Sequence, residues 1–214
     1  AVLIAAGAAA FYVFERGGVM AGMGPLEKVL GAVFQSVTAR TAGFNTLPVG
    51  EFGIPSLMVL MLLMFIGASP GSTGGGVKTC TFAVAAAGIW NMLTNGKRVT
   101  LFGRSVPKRV VRESFIIVFL SLAWIFVCTC VIAFVRMTAA PGGDFIGMLF
   151  EVISAFGTVG LSTGLTPDLD TLSKVCIIVT MFAGRVGPLT LAFAVAFRES
   201  GGQYVYPEEN LMVG

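Results

Sequence analysis

The chain has 214 residues, of which 56% are hydrophobic and only 12% charged, about half the charge of an ordinary soluble domain; this composition places it in a membrane. The formal net charge of +3 is too small to argue for a nucleic-acid partner, so the placement of the charges matters more than their sum. There is no histidine, which excludes imidazole acid/base catalysis, Ser-His-Asp triads and most transition-metal sites.

The chain opens on AVLIAAGAAAFYVF, Ala1 to Phe14, without an initiator Met or the basic segment of a signal peptide. It reads as the later part of a transmembrane helix, and the chain as a fragment of something longer. Pro25 to Thr38 follows, amphipathic and too short to span a bilayer, which needs about 20 apolar residues. That length suits a re-entrant helix that enters the membrane and turns back; an interfacial helix is the alternative. After TAGFNT at Thr41 to Thr46 comes the apolar stretch Ile54 to Trp90, interrupted by GASPGSTGGGVKT, Gly67 to Thr79. Pro70 lacks an amide donor, and Gly71, Gly74, Gly75 and Gly76 each cost a helix about 1 kcal/mol relative to Ala. The interruption is therefore predicted to be a loop. Helix Ile54 to Ile66 rises roughly 20 Å at about 1.5 Å per residue, which puts Gly67 beyond the midplane, below any segment at the outer side.

Residues 95–112 carry Lys97, Arg98, Arg104, Lys108, Arg109 and Arg112 and no acid, marking a cytoplasmic linker. The outer connections then hold Glu15, Glu27, Glu51, Asp144, Glu151, Asp168 and Asp170, a rim relatively attractive to cations. Val110 to Val135 reads as a span, Phe145 to Phe156 as a second re-entrant helix, and Leu172 to Phe197 as the last span, before a tail over 200–214. Cys80, Cys128, Cys130 and Cys176 lie in apolar segments without metal-ligand spacing and read as small packing residues.

The chain also matches itself. TAGFNT at 41 pairs with TVGLST at 158, and MFIG at 64 pairs with MFAG at 181, at one constant spacing. FQSVTA and FEVISA pair after a one-residue slip, so the short helices belong to the repeat. Two units follow, 1–94 and 113–199, each a helix, a re-entrant pore helix (25–38 and 145–156), an extended Thr-x-Gly segment (41–45 and 158–162) and a helix. Non-helical backbone is tolerated at membrane depth only where it is buried in protein or lines a water-filled cavity. Glycine lets successive carbonyls face one axis, and rings of carbonyls can replace the hydration shell of a potassium ion. The candidate selectivity filter is thus Thr41, Ala42, Gly43, Phe44 and Asn45 with Thr158, Val159, Gly160, Leu161 and Ser162. The carbonyls of Thr41, Ala42, Thr158 and Val159 are its candidate ion ligands. Turn glycines closing a helical hairpin are the competing reading.

Arg185 falls opposite Ala68 in the repeat. It is expected to be buried, bonded to loop carbonyls, to the hydroxyls of Ser69, Ser72 or Thr73, or to pore water, unless it only pins two helices. A phosphate-cradle reading of GSTGGGVKT fails: Gly71 and Gly76 have P-loop spacing, but Val77 holds the lysine position and Lys78 comes one residue late. A secondary transporter with a substrate site at its broken helix is a second hypothesis, and it requires inverted repeats. A membrane hydrolase using Ser69 or Ser72 lacks a base, so no enzyme is expected.

TARTAGFNT, GASPGSTGGGVKT, FEVISAFGTVGLSTGLTP and MFAGRVGPLT resemble the third and fourth pore repeats of the Trk/Ktr/HKT superfamily of potassium transporters. The tail YPEENLMVG is most similar to that of the Ktr-type membrane subunit. The resemblance implies an all-α integral membrane fold, with this chain as the C-terminal half of a four-repeat, potassium-channel-like pore. It implies that Gly43 and Gly160 are filter glycines, that Gly67, Ala68, Ser69, Pro70, Gly71, Ser72, Thr73, Gly74, Gly75, Gly76, Lys78 and Thr79 belong to an intramembrane gating loop, and that Arg185 is the pore arginine. It further implies a homodimer in a lipid bilayer, multi-pass in the plasma membrane, here a bacterial inner membrane. The dimer would dock on cytoplasmic nucleotide-binding regulatory subunits, with potassium transported, sodium as a candidate activator and no organic cofactor.

Overall fold

The computed structural model describes residues 1–94, 99–101, 104–139 and 144–187. Its helices are α1 (Val2–Glu15), α2 (Pro25–Thr38), α3 (Ile54–Phe65), α4 (Thr79–Leu93), α5 (Lys108–Ala139), α6 (Phe145–Gly157) and α7 (Thr171–Val186). A two-residue hairpin, β1 (Thr100–Leu101) with β2 (Arg104–Ser105), sits in the basic linker, an element that the run of charge did not foretell. The tail 200–214 and the later part of the last predicted span lie outside the described residues.

Local chemistry explains where the helices begin and end. Pro25 opens α2 and Pro55 opens α3, each in the first turn, where a missing amide costs nothing. The Glu27 carboxylate accepts the Gly24 amide ahead of α2, and Asp144 accepts the Ile146 amide at the start of α6. Among the described residues, α5 alone is long and apolar enough to cross a membrane, over Lys108–Arg136 with mean hydropathy 2.8. Its hydroxyls are disarmed locally: Ser114, Ser121 and Thr129 each donate to the carbonyl four residues back.

Packing repeats as the sequence does. In the first unit α1 lies against α2 and α3; in the second α5 lies against α6 and α7. The units meet through α3 on α6 and α4 on α5. One core gathers Phe11, Met20, Leu60 and Met64 with Phe150 and Leu161 of the second unit, and Phe11 meets Phe52 edge-on at 5.0 Å. A second core joins Ile66 and Val77 to Ile132, Val152 and Phe156. Between α6 and α7 the approach is so close that a Cβ at Gly184 would lie 1.9 Å from the Phe156 carbonyl oxygen.

Two of the predicted rim acids are not on a rim. Glu15 is 2% exposed and takes hydrogen bonds from Ser56 Oγ and the Val19 and Gly53 amides, tying the end of α1 to the start of α3. Glu151 is 6% exposed, inside the second unit. A carboxylate that accepts several donors can be buried where an isolated one cannot.

Candidate functional site

The two Thr-x-Gly segments share a backbone frame. Thr41 and Thr158 are the non-glycine residues with positive φ among those described, at 71° and 51°, a conformation that costs of order 1–3 kcal/mol per residue and persists only where its surroundings impose it. The following glycines, Gly43 and Gly160, have φ of 73° and 93°. The amide of Ala42 donates to the Thr38 carbonyl at 3.2 Å, and that of its repeat-mate Val159 to the Ser154 carbonyl at 3.0 Å. In the opposite direction, the Thr38 hydroxyl donates to the Phe44 carbonyl at 2.8 Å and the Ser154 hydroxyl to the Leu161 carbonyl at 2.6 Å. Each short helix thus grips its extended segment on both sides of the glycine.

The carbonyls left over matter most. Among the described residues no hydrogen bond is donated to those of Thr41, Ala42, Thr158 or Val159, whereas those of Phe44 and Leu161 are engaged. The segments also touch: a Cβ at Gly43 would stand 2.0 Å from the Val159 carbonyl oxygen, so glycine is required there by space as well as by φ. A cavity of about 720 Å³ runs along the second segment, lined by Thr158 to Ser162 with Lys174 and Met181 facing them.

Behind that second segment lies a carboxylate anchor. Glu151 accepts from the Ser162 hydroxyl at 2.6 Å, the Thr163 amide at 2.9 Å, the Thr163 hydroxyl and the Thr166 hydroxyl. Its repeat-mate Gln35 is fully buried, and neither its amide nitrogen nor its oxygen has a partner among the described residues.

The glycine-rich loop seats directly against these segments. α3 ends at Phe65, and an isolated parallel bridge, Ile66 with Val77, closes the neck, helped by the Val77 amide to Phe65 and the Thr79 amide to Ala68. Ser69 to Thr73 form an exposed tip, while Gly74, Gly75 and Gly76 are buried. The Gly75 amide donates to the Thr158 hydroxyl at 2.9 Å, and the Gly76 amide to the Gly184 carbonyl at 3.2 Å. A Cβ at Gly74 would meet the Thr41 hydroxyl at 2.7 Å. The buried limb therefore touches the first threonine of both segments. Lys78, at the foot of α4, donates back to the carbonyls of Ser72 and Gly74 and holds the tip over the neck.

Arg185 departs from expectation. It is exposed on the described chain, and its side chain makes no hydrogen bond or ion pair there, because the turn of α7 that carries Gly184 against the loop points the next residue away. A different arginine reaches the loop: Arg40, one residue before Thr41, donates from Nη2 to the Gly67 carbonyl at 3.0 Å. The cysteines also differ from simple packing. Cys80 and Cys130 are exposed, and Cys128 accepts from the Thr180 hydroxyl at 3.2 Å. Thr38, Ser154, Glu151 and Arg40 are the site residues that sequence reasoning passed over. The pairing of FQSVTA with FEVISA already placed Thr38 opposite Ser154, and that shared hydroxyl was the available signal.

Over residues 2–204 the chain matches the family described as TrkH, cation transport protein. Along its whole length it is 39% identical to the Ktr system potassium uptake protein B of Vibrio alginolyticus, covering 46% of that protein. It is 35% identical, again over its whole length, to the potassium/sodium uptake protein NtpJ of Enterococcus hirae, covering 48% of it. The crystal structure of the potassium transporter TrkH from Vibrio parahaemolyticus matches 91% of this chain and 42% of that one with a TM-score of 0.72 at 21% identity, a likeness of fold. The chain spans about half the length of the curated relatives it matches.

Proposed function

Because the chain belongs to the TrkH family of cation transport proteins, we propose that it supplies two of the four pore repeats of a potassium uptake protein. Thr41–Asn45 and Thr158–Ser162 form half of its selectivity filter, and Gly67–Thr79 is its gate. The observation that carries this reading is the set of four carbonyls, of Thr41, Ala42, Thr158 and Val159, that receive no hydrogen bond in a backbone frame built twice. An ion passing the frame supplies what they lack, since carbonyl oxygens stand in for its water shell. Potassium as the ion is supported by the printed names of the relatives, and one of those names includes sodium, in keeping with sodium as an activator.

The loop suits a gate because it is bonded to the inner end of the frame by single hydrogen bonds while its tip is exposed. Seated, it obstructs the path; displaced, it clears it. Arg185, exposed beside Gly184, serves as a fixed positive charge facing the pore. The full protein is read as a multi-pass homodimer in a bacterial inner membrane, regulated by a cytoplasmic nucleotide-binding subunit, with no organic cofactor and no covalent chemistry. Inverted repeats would favour the alternative, a sodium-coupled secondary transporter; the first threonine of both segments meets the same buried limb of the loop, Thr41 at Gly74 and Thr158 at Gly75, which favours two repeats of one orientation.

The test uses the full-length protein in cells lacking their own potassium uptake. Excising Ala68–Gly76 is expected to raise the initial rate of rubidium uptake, and Gly160→Asp to abolish selective uptake. If both variants reach the membrane and transport at the parental rate, the reading is wrong.

A further inference from the structure

We propose that Arg40 is a positioning residue of the gate, tethering the hinge of the glycine-rich loop to the filter segment of its own repeat. The inference rests on the gating role given to that loop above. Arg40 lies two residues beyond the end of α2 and directly precedes Thr41. Its guanidinium crosses to the Gly67 carbonyl, two residues beyond the end of α3. The last carbonyls of a helix lack intrahelical donors, and a helix C-terminus carries partial negative charge. Here a cation carried just beyond the end of α2 bonds to the chain just beyond the end of α3. Gly67 is the tightest point of the loop's neck, where a Cβ would lie 2.1 Å from the Gly75 carbonyl oxygen. A residue that fixes the Gly67 carbonyl therefore fixes how the two limbs of the loop meet.

The guanidinium is not used up by this bond. Nε is buried and has no partner among the described residues, so the head is held by its one contact at Gly67 and not by a surrounding salt-bridge network. Arg40 is half-buried. Besides the Gly76 amide on the Gly184 carbonyl, the loop is thus held by the Thr158 hydroxyl on Gly75 and by the Arg40 guanidinium on Gly67, one from within the second filter segment and one from the residue just before the first. Movement of the first filter segment is transmitted through Arg40 to the hinge without passing through α3.

Losing a charge-assisted hydrogen bond that favours the seated loop shifts the ratio of displaced to seated loop by about tenfold or more. Rubidium uptake is measured for wild type, Arg40→Lys, Arg40→Gln and Arg40→Met, each in the full-length protein with the loop intact and with Ala68–Gly76 excised, and normalised to protein in the membrane. With the loop intact, Arg40→Lys, which keeps a donor for Gly67, is expected to stay near wild type. Arg40→Gln and Arg40→Met are expected to raise the rate. With the loop excised, all four are expected to transport alike, a convergence that a merely structural arginine would not produce. Arg40→Gln serves should Arg40→Met fail to reach the membrane. If excision alone raises uptake but neither Arg40→Gln nor Arg40→Met does, or if their effects persist after excision, the tether is refuted and the gate stands. If excision leaves uptake unchanged, the gate itself fails and the tether with it.

Discussion

Gly75→Ala places a methyl group where the loop meets the second Thr-x-Gly segment, the proposed filter. The added Cβ would lie 2.6 Å from the Thr158 hydroxyl oxygen and 2.7 Å from its methyl carbon, and 3.1 Å from the Gly184 carbonyl oxygen. Rotating Thr158 about χ1 exchanges one heavy atom for another and cannot clear both, because threonine is branched at Cβ. The seated loop thus loses the Gly75 to Thr158 hydrogen bond, about 0.5–1.5 kcal/mol, and suffers overpacking of about 1–3 kcal/mol. A total of roughly 1.5–4.5 kcal/mol multiplies the ratio of displaced to seated loop by roughly 10- to 1,600-fold, at about 1.4 kcal/mol per factor of ten. The exposed tip pays none of this, so the cost falls on one conformation. Initial rubidium uptake at saturating concentration is expected to rise toward the rate of the loop-excised protein, with the preference for potassium over sodium unchanged. Adding Thr158→Ser is expected to reverse part of the rise, because serine can swing its oxygen aside and remove the steric part while the hydrogen bond stays lost. A Gly75→Ala protein present at normal levels with uptake equal to or below wild type would refute the argument that seating against Thr158 closes the path.

The paired hydroxyls give a second test: Thr38→Val and Ser154→Ala each strip a donor from the carbonyl that follows a filter glycine, at about 1–3 kcal/mol for the unmet acceptor. Both are expected to lower the ratio of potassium to sodium uptake in proteoliposomes, whereas Thr38→Ser keeps it; an unaltered ratio in both would show that the frame does not set selectivity. Packing gives a third. Gly184→Ala drives a methyl into the Phe156 backbone, while at Gly7 the nearest atoms are the ends of the Ser36 and Leu63 side chains, which can turn away. Thermal unfolding of the detergent-solubilised full-length protein is therefore expected to fall clearly further for Gly184→Ala than for Gly7→Ala, and the reverse order would contradict the close α6–α7 contact.

Much of the architecture was legible because membrane solvation leaves few options. Length separates α5 from the short helices α2 and α6, and proline at their first turns marks where α2 and α3 begin. The stop at Phe65 follows from the density of glycine beyond it. What periodicity could not supply was direction of contact around a helix at its end. Arg185 was expected to be buried because its repeat-mate adjoins the loop, yet one residue along a helix is about 100° of rotation, and it is Gly184 that faces Gly76. Arg40 went unread for a related reason. Its partner is a backbone carbonyl, which has no sequence signature. Glu15 and Glu151 were counted as surface charge because charged residues are seldom fully buried; only the placement of Ser56, Ser162, Thr163 and Thr166 around them makes their burial possible.

The contrast between Glu151 and Gln35 bears on how the pore would yield under load. Four donors converge on the carboxylate, so the wall it backs can deform only by breaking several charged bonds together. The first segment has in the same place an uncharged amide that has no hydrogen-bond partner among the described residues. Compliance is therefore distributed unevenly around the axis, with one stiff quadrant and one soft one side by side. In the proposed pore an entering ion would be fitted from one side, by the wall that can move toward it, and the soft quadrant is the one whose next residue back along the chain is Arg40.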